Sequence, residues 1–274
     1  MQMSLPLSLK KLAVWSAVIA AAACGPAESA PPASAQTTAK PPAAAPTPGY
    51  SVVPLKESGT LTGTVSFEGP APADSITHPT TDTDVCGTML VDPTVLHRGP
   101  RLQGAVVWIS GITAGKHLPY TKRYDLLTQS CRITPRIQAA VVGGTLNVRS
   151  ADAVVHRTRF VRGTDTVAMI PETEDGQVVP TERVLATDGL VEVLCDPHPW
   201  TRAWLMVFSH PYFASTDVNG SFTIDSIPPG RYQVSAWHER FGTVRDSVTV
   251  TTKAAAVALT FRGPAPVHPA TAMP

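Results

Sequence analysis

Short runs of alternating apolar and polar residues, each cut off by Gly, Pro or Asp, dominate this chain from about residue 50 onward. A side-chain period of two marks a strand with one buried face, and no stretch holds the 3.6-residue period of a long amphipathic helix. The sequence therefore predicts an all-β fold of antiparallel sheets. In GTLTGTVSFEGPAP the alternating set is Leu61, Gly63, Val65 and Phe67, and Gly104 to Ile109 is an apolar run around Trp108. Ala139 to Val142 and Thr145 to Val148 flank Gly143-Gly144, which reads as a tight turn or bulge. In Leu190 to Cys195, the residues Val191, Val193 and Cys195 share one face, and Ala203 to Phe208 is nearly continuous apolar sequence. With 274 residues, 43% of them hydrophobic, there is material for one or two β-rich domains. A net charge of +1 gives no electrostatic reason to expect nucleic acid as a partner.

The N-terminus reads as an export signal. Lys10 and Lys11 precede the apolar run Leu12 to Ala23, which is too short to span a bilayer comfortably. It ends in Ala21-Ala22-Ala23-Cys24-Gly25, which resembles a bacterial lipoprotein signal in which Cys24 is lipidated. Ala21 stands where Leu is commoner, and ordinary cleavage nearby is the alternative. Residues 25–50 are rich in Ala, Pro, Ser and Thr, have almost no large apolar side chains, and read as an extended tether. The expected location is the bacterial cell envelope, with the membrane touched only through the lipid anchor. Export also permits disulfides. Cys195 belongs to the motif described next, which leaves Cys86 and Cys131 to pair across 45 residues; two buried free thiols are the alternative.

The sequence carries chemistry most densely at Leu194-Cys195-Asp196-Pro197-His198-Pro199-Trp200-Thr201. A strand delivers a cysteine, a tight loop presents a histidine three residues later, and His156 lies 39 residues upstream. One thiolate and two imidazoles form a trigonal donor set of the kind that holds blue copper. Zinc with an open fourth position suits the same donors. The bland reading makes Cys195 a buried thiol and the histidines ordinary polar residues.

CDPHPW resembles the ligand loop of amicyanin-type cupredoxins, and ITPRIQAAVVGGTLNVRSADAVVHRTRF is similar to that family's strand, turn and first-histidine segment. The resemblance covers about residues 124–208. It implies a cupredoxin-like Greek-key sandwich, copper as cofactor, and His156, Cys195 and His198 as equatorial ligands. It further implies one-electron transfer to a redox partner protein of the envelope. Two positions depart from the pattern. Thr201 stands where the family places its axial methionine, and Met206 is too far along the next strand to replace it. Arg157 stands where the family often has an Asn that ties the ligand strands together. The resemblance also implies that His198 is an exposed ligand, with Trp200 beside it as the electron port; Trp200 as plain core is the alternative.

Downstream, TDVNGSFTIDSIPPGRYQVSAW resembles a carboxypeptidase regulatory-like, transthyretin-like β-sandwich. The early strands expected of that family lie far upstream, at residues 59–67 and 104–109. The sequence thus suggests first strands at 51–116, a cupredoxin-like domain at 117–209 inserted into the sandwich, the sandwich resumed at 210–262, and a tail at 263–274. A simple tandem is the rival arrangement. His210-Pro211-Tyr212-Phe213 and Trp237-His238-Glu239 match a broader pattern of exported proteins often linked to methylamine utilisation. His238 and Glu239 could work as acid and base, but a structural role fits better, and His210 reads equally well as packing. His78, His97, His117 and His268 carry no signal. No Ser-His-Asp order, phosphate loop or carboxylate pair stands out, so a non-enzymatic role is expected. The alternatives to electron transfer are a metal-free envelope binding or scaffolding module with a degenerate site, and copper delivery or storage.

Overall fold

A computed structural model of the chain describes residues 49–93, 95–173 and 176–263. The export signal, Cys24, the tether up to residue 48 and the tail from residue 264 lie outside the described residues. Among the described residues no helix is long and apolar enough to cross a membrane. The fold is nearly all β, as the alternation predicts, and it contains two sandwiches.

The first sandwich is built from a continuous stretch. Its four-stranded sheet runs in the order Arg132–Thr134, Arg123–Gln129, Thr145–Ser150, Val178–Thr181. Its five-stranded sheet runs Ile137–Val141, Arg202–Phe208, Gly189–Cys195, His156–Arg162, Asp165–Glu172. Leu126, Leu146, Val148, Phe160, Val191, Val193, Ala203, Leu205 and Val207 fill the space between the sheets. Leu205 and Phe160 are fully buried. Two facing sheets with an apolar filling make this unit a β-sandwich, the fold class the sequence predicts.

The second sandwich draws strands from both sides of the first. Gly59–Glu68 pairs with Ser221–Ile227 on one edge and runs parallel to Ala255–Arg262. Val106–Ser110 lies between Phe213–Ser215 and Gly230–His238, with Gly242–Val250 beyond. Leu61, Val65 and Phe67 point inward onto Leu259, Phe261 and Phe222. Gly63 shares that alternation and stays small for a reason: a Cβ there would lie 2.6 Å from the Phe222 ring. Val106, Trp108, Met206 and Phe208 form a separate apolar cluster where the two sandwiches meet.

One sequence expectation is corrected. The sheets are mixed rather than purely antiparallel: Arg123–Gln129 runs parallel to Thr145–Ser150, and Ile137–Val141 parallel to Arg202–Phe208. The reason lies at Gly143-Gly144. Gly143 adopts φ 69°, and the turn carries the chain from one sheet to the opposite sheet instead of closing a hairpin. The strands on either side must then find partners distant in sequence.

One further element positions the site. Between Gly59–Glu68 and the strand His97–Arg98, the chain forms a small hairpin of Ser75–Thr77 and Leu90–Asp92. Its connection contains the single helical turn Thr83–Cys86. A disulfide joins Cys86 to Cys131 and fastens this strap to the first sandwich.

Candidate metal site

Two strand ends and a loop deliver the donors. His156 opens His156–Arg162, Cys195 closes Gly189–Cys195, and the register pairs Thr158 with Cys195. After Cys195, a loop ties back on itself: the Thr201 amide donates to the His198 carbonyl at 2.8 Å, and the Cys195 amide to the Thr201 carbonyl at 3.3 Å. This loop turns the His198 ring toward the strand ends.

The donor atoms converge. Cys195 Sγ lies 3.4 Å from His156 Nδ1 and 3.5 Å from His198 Nδ1, and the two Nδ1 atoms are 3.1 Å apart. A point equidistant from all three is about 1.9 Å from each, against metal–nitrogen bonds of ~2.0–2.1 Å and metal–sulfur bonds of ~2.3 Å. Small outward shifts, largest at sulfur, would therefore fit one ion. All three side chains are buried. Cys195 is the free cysteine among the described residues. Burial pushes its thiol up, partly offset by backbone hydrogen bonds around Arg157 and His198. Burial pulls the His156 imidazole down, with its Asp152 partner opposing the shift.

Each imidazole turns its far nitrogen to a carboxylate. His156 Nε2 donates to Asp152 Oδ2 at 3.0 Å, and His198 Nε2 donates to Asp82 Oδ2 at 2.9 Å. Carboxylates accept and do not donate, so both Nε2 atoms carry the proton and both Nδ1 atoms present lone pairs to the centre. Asp152 also accepts the amides of Ser130 (2.6 Å) and Cys131 (2.8 Å). Those two residues adopt positive φ, 49° and 56°, in the turn between Arg123–Gln129 and Arg132–Thr134. Behind His156, Glu172 is fully buried and accepts the Thr158 hydroxyl at 2.5 Å and the Thr128 hydroxyl at 3.4 Å. Burial raises its carboxyl above the usual range.

The departures noted in the sequence find structural explanations. The Thr201 hydroxyl donates to the Cys131 carbonyl at 2.5 Å, so Thr201 ties the loop after Cys195 to the disulfide turn. Met206 is buried between the sandwiches with Trp108 and Phe208. Arg157 is exposed, and its carbonyl accepts the Asp196 amide at 3.1 Å while Arg159 Nε donates to Asp196 Oδ1 at 2.7 Å. Those bonds join the strand that begins at His156 to the loop that follows Cys195.

The expected exposed edge of His198 is corrected. His198 is 0% exposed, because the strap lays Asp82 over Nε2 and the Thr81 hydroxyl donates to the Pro197 carbonyl at 3.4 Å. Trp200 is half-buried, with its ring centroid 5.4 Å from that of His198. Asp82, Asp152 and Glu172 went unassigned in the sequence. Of the three, only Asp152 lies close in sequence to the histidine it contacts, four residues before His156.

His238 and Glu239 are placed structurally. His238 Nδ1 accepts the Arg240 amide at 3.2 Å, and Glu239 pairs with Arg136 and accepts Trp204 Nε1 at 2.8 Å. His210 Nδ1 accepts the Tyr212 amide at 3.2 Å.

Comparison with known proteins gives partial likenesses. A family model described as polysaccharide lyase family 4, domain II, matches residues 189–258. The matched span begins in the five-stranded sheet of the first sandwich and ends in the second, so it crosses the boundary between them. No curated protein matches the chain. Among solved structures, the chain is similar to a purple cupredoxin from Nitrosopumilus maritimus, at 18% identity over 31% of this chain and 99% of that one, with a TM-score of 0.28. It is similar to an oxidised amicyanin variant at 20% identity over 31% of this chain and 81% of that one, TM-score 0.27. It is also similar to a copper-containing nitrite reductase from Thermus scotoductus SA-01, at 17% identity over 36% of this chain and 24% of that one, TM-score 0.28.

Proposed function

We propose that this chain holds one copper ion at His156, Cys195 and His198 and serves as a one-electron carrier, not an enzyme. We further propose that it is exported and anchored at the cell envelope through Cys24, and that it meets a redox partner protein there. One observation carries the copper reading. Two imidazole lone pairs and a sulfur face one another in a buried space while both Nε2 protons are committed to carboxylates. The single proton of the Cys195 thiol can answer only one of the two lone pairs. A buried electron pair without a partner is costly, and a single soft cation satisfies all three groups. Copper, when bound, supplies the change between Cu(II) and Cu(I). The chain's part is to keep the donors still through that change: stiff strands hold His156 and Cys195, and the Thr201 and Asp196 hydrogen bonds hold the loop.

The test is an optical spectrum with metal analysis of the protein loaded with Cu(II). One copper per chain and an intense visible band from thiolate charge transfer are expected, and Cys195→Ser should abolish the band. A colourless protein without stoichiometric metal would sink the reading. Burial of His198 beneath the strap favours a second reading, copper delivery or storage. That reading gives the same stoichiometry without reversible oxidation and reduction.

A further inference from the structure

We propose that Asp82 is a positioning residue for the metal site, supplied by the strap, so that the site is complete only when the strap is seated. The inference rests on the copper reading and concerns how that site is tuned. Asp82 precedes the helical turn Thr83–Cys86 and adopts φ 50°, ψ 38°, a left-handed conformation that Asp and Asn tolerate better than most residues. That conformation aims its carboxylate at His198 Nε2, 2.9 Å away, across 116 residues of sequence. Asp152 makes the same contact with His156 Nε2.

The two clamps are joined to each other. Asp82 accepts the Cys86 amide on its backbone carbonyl, Cys86 is bonded to Cys131, and the Cys131 amide donates to Asp152. Carboxylate, imidazole, donor centre, imidazole and carboxylate thus form a frame closed by the disulfide. A carboxylate on the far nitrogen fixes the tautomer, orients the ring and raises the basicity of Nδ1. Its negative charge favours a doubly charged ion over a singly charged one at the same place. The clamps therefore hold Cu(II) more tightly relative to Cu(I) and lower the reduction potential.

The discriminating variant is Asp82→Asn, which keeps the shape, an acceptor oxygen and the left-handed backbone while removing the charge. Cu(II) affinity should fall by ~10–100-fold, the usual cost of losing such a partner. Cu(I) affinity should fall much less. Each tenfold fall in the ratio of Cu(II) to Cu(I) affinity raises the potential by about 59 mV. In the metal-free protein, nitrogen NMR should find the proton on Nε2 of both histidines, and Asp82→Ala should leave His198 in mixed tautomers with His156 unchanged. If both variants keep the wild-type potential and affinity, or His198 keeps a single Nε2–H tautomer in Asp82→Ala, Asp82 is only a surface contact and the inference is wrong. If the wild type takes up no copper, the functional reading fails instead, and the tautomer measurement alone decides whether the clamp exists.

Discussion

The two sandwiches bury polar groups in opposite ways. In the second, the buried side chains of Thr216, Ser235, His210 and His238 each find a hydrogen-bond partner in their own fold. Thr216 donates to the Leu102 carbonyl and accepts the Ala105 amide, Ser235 meets Ser110 at 2.8 Å, and His210 and His238 each accept an amide two residues ahead. At one end of the first, two imidazole nitrogens and a sulfur meet mainly each other. Satisfied polar groups specify a fold; unanswered donors that converge specify a ligand. The contrast marks the strand ends of the first sandwich as the candidate metal site and leaves the second to carry the strap.

That contrast can be broken most sharply at Cys195. Cys195→Ser should remove the charge-transfer band entirely, whereas His238→Gln, in the second sandwich, should leave the band unchanged. Next comes the disulfide that joins the strap to the first sandwich. Replacing Cys86 and Cys131 by Ser opens a 45-residue loop and should cost about 4 kcal/mol of stability in denaturant unfolding. It should also expose His198, read as faster exchange of its imidazole proton with solvent.

The second sandwich should dominate the acid response of the metal-free protein. Burial holds His210 down to about 4 and His238 to about 3, from an ordinary 6.5. Unfolded imidazoles take up protons first as pH falls below 6.5, so the stability present at neutral pH is lost toward pH 4, by roughly 3 kcal/mol per histidine. Urea unfolding at pH 7 and pH 4.5 checks this, and a His238→Gln variant should give the shallower dependence. The smallest effect is expected at Thr201. Thr201→Val removes one hydrogen bond to the Cys131 carbonyl and should cost about 1–3 kcal/mol while the copper spectrum keeps its band.

Much of the fold was legible because period-two alternation is a local property. Leu61, Val65 and Phe67 announce their inward face without reference to the rest of the chain. The donor triad was legible because Cys195 and His198 share one loop and His156 begins a recognisable strand. What escaped the sequence depends on contacts between distant segments. Asp82 meets His198 only because a strap from outside the first sandwich folds over it. Gly143-Gly144 announces a turn, but nothing local says whether that turn closes a hairpin or crosses to the opposite sheet. Asp152 stood in plain view, yet a carboxylate four residues from a histidine acquires meaning only when the intervening loop folds it back.

X-ray absorption at the copper edge of the loaded protein most directly tests the claim that Cys195, His156 and His198 share one ion. The account predicts a first shell of one sulfur and two imidazole nitrogens. A shell of nitrogen and oxygen alone, with no sulfur, would contradict it.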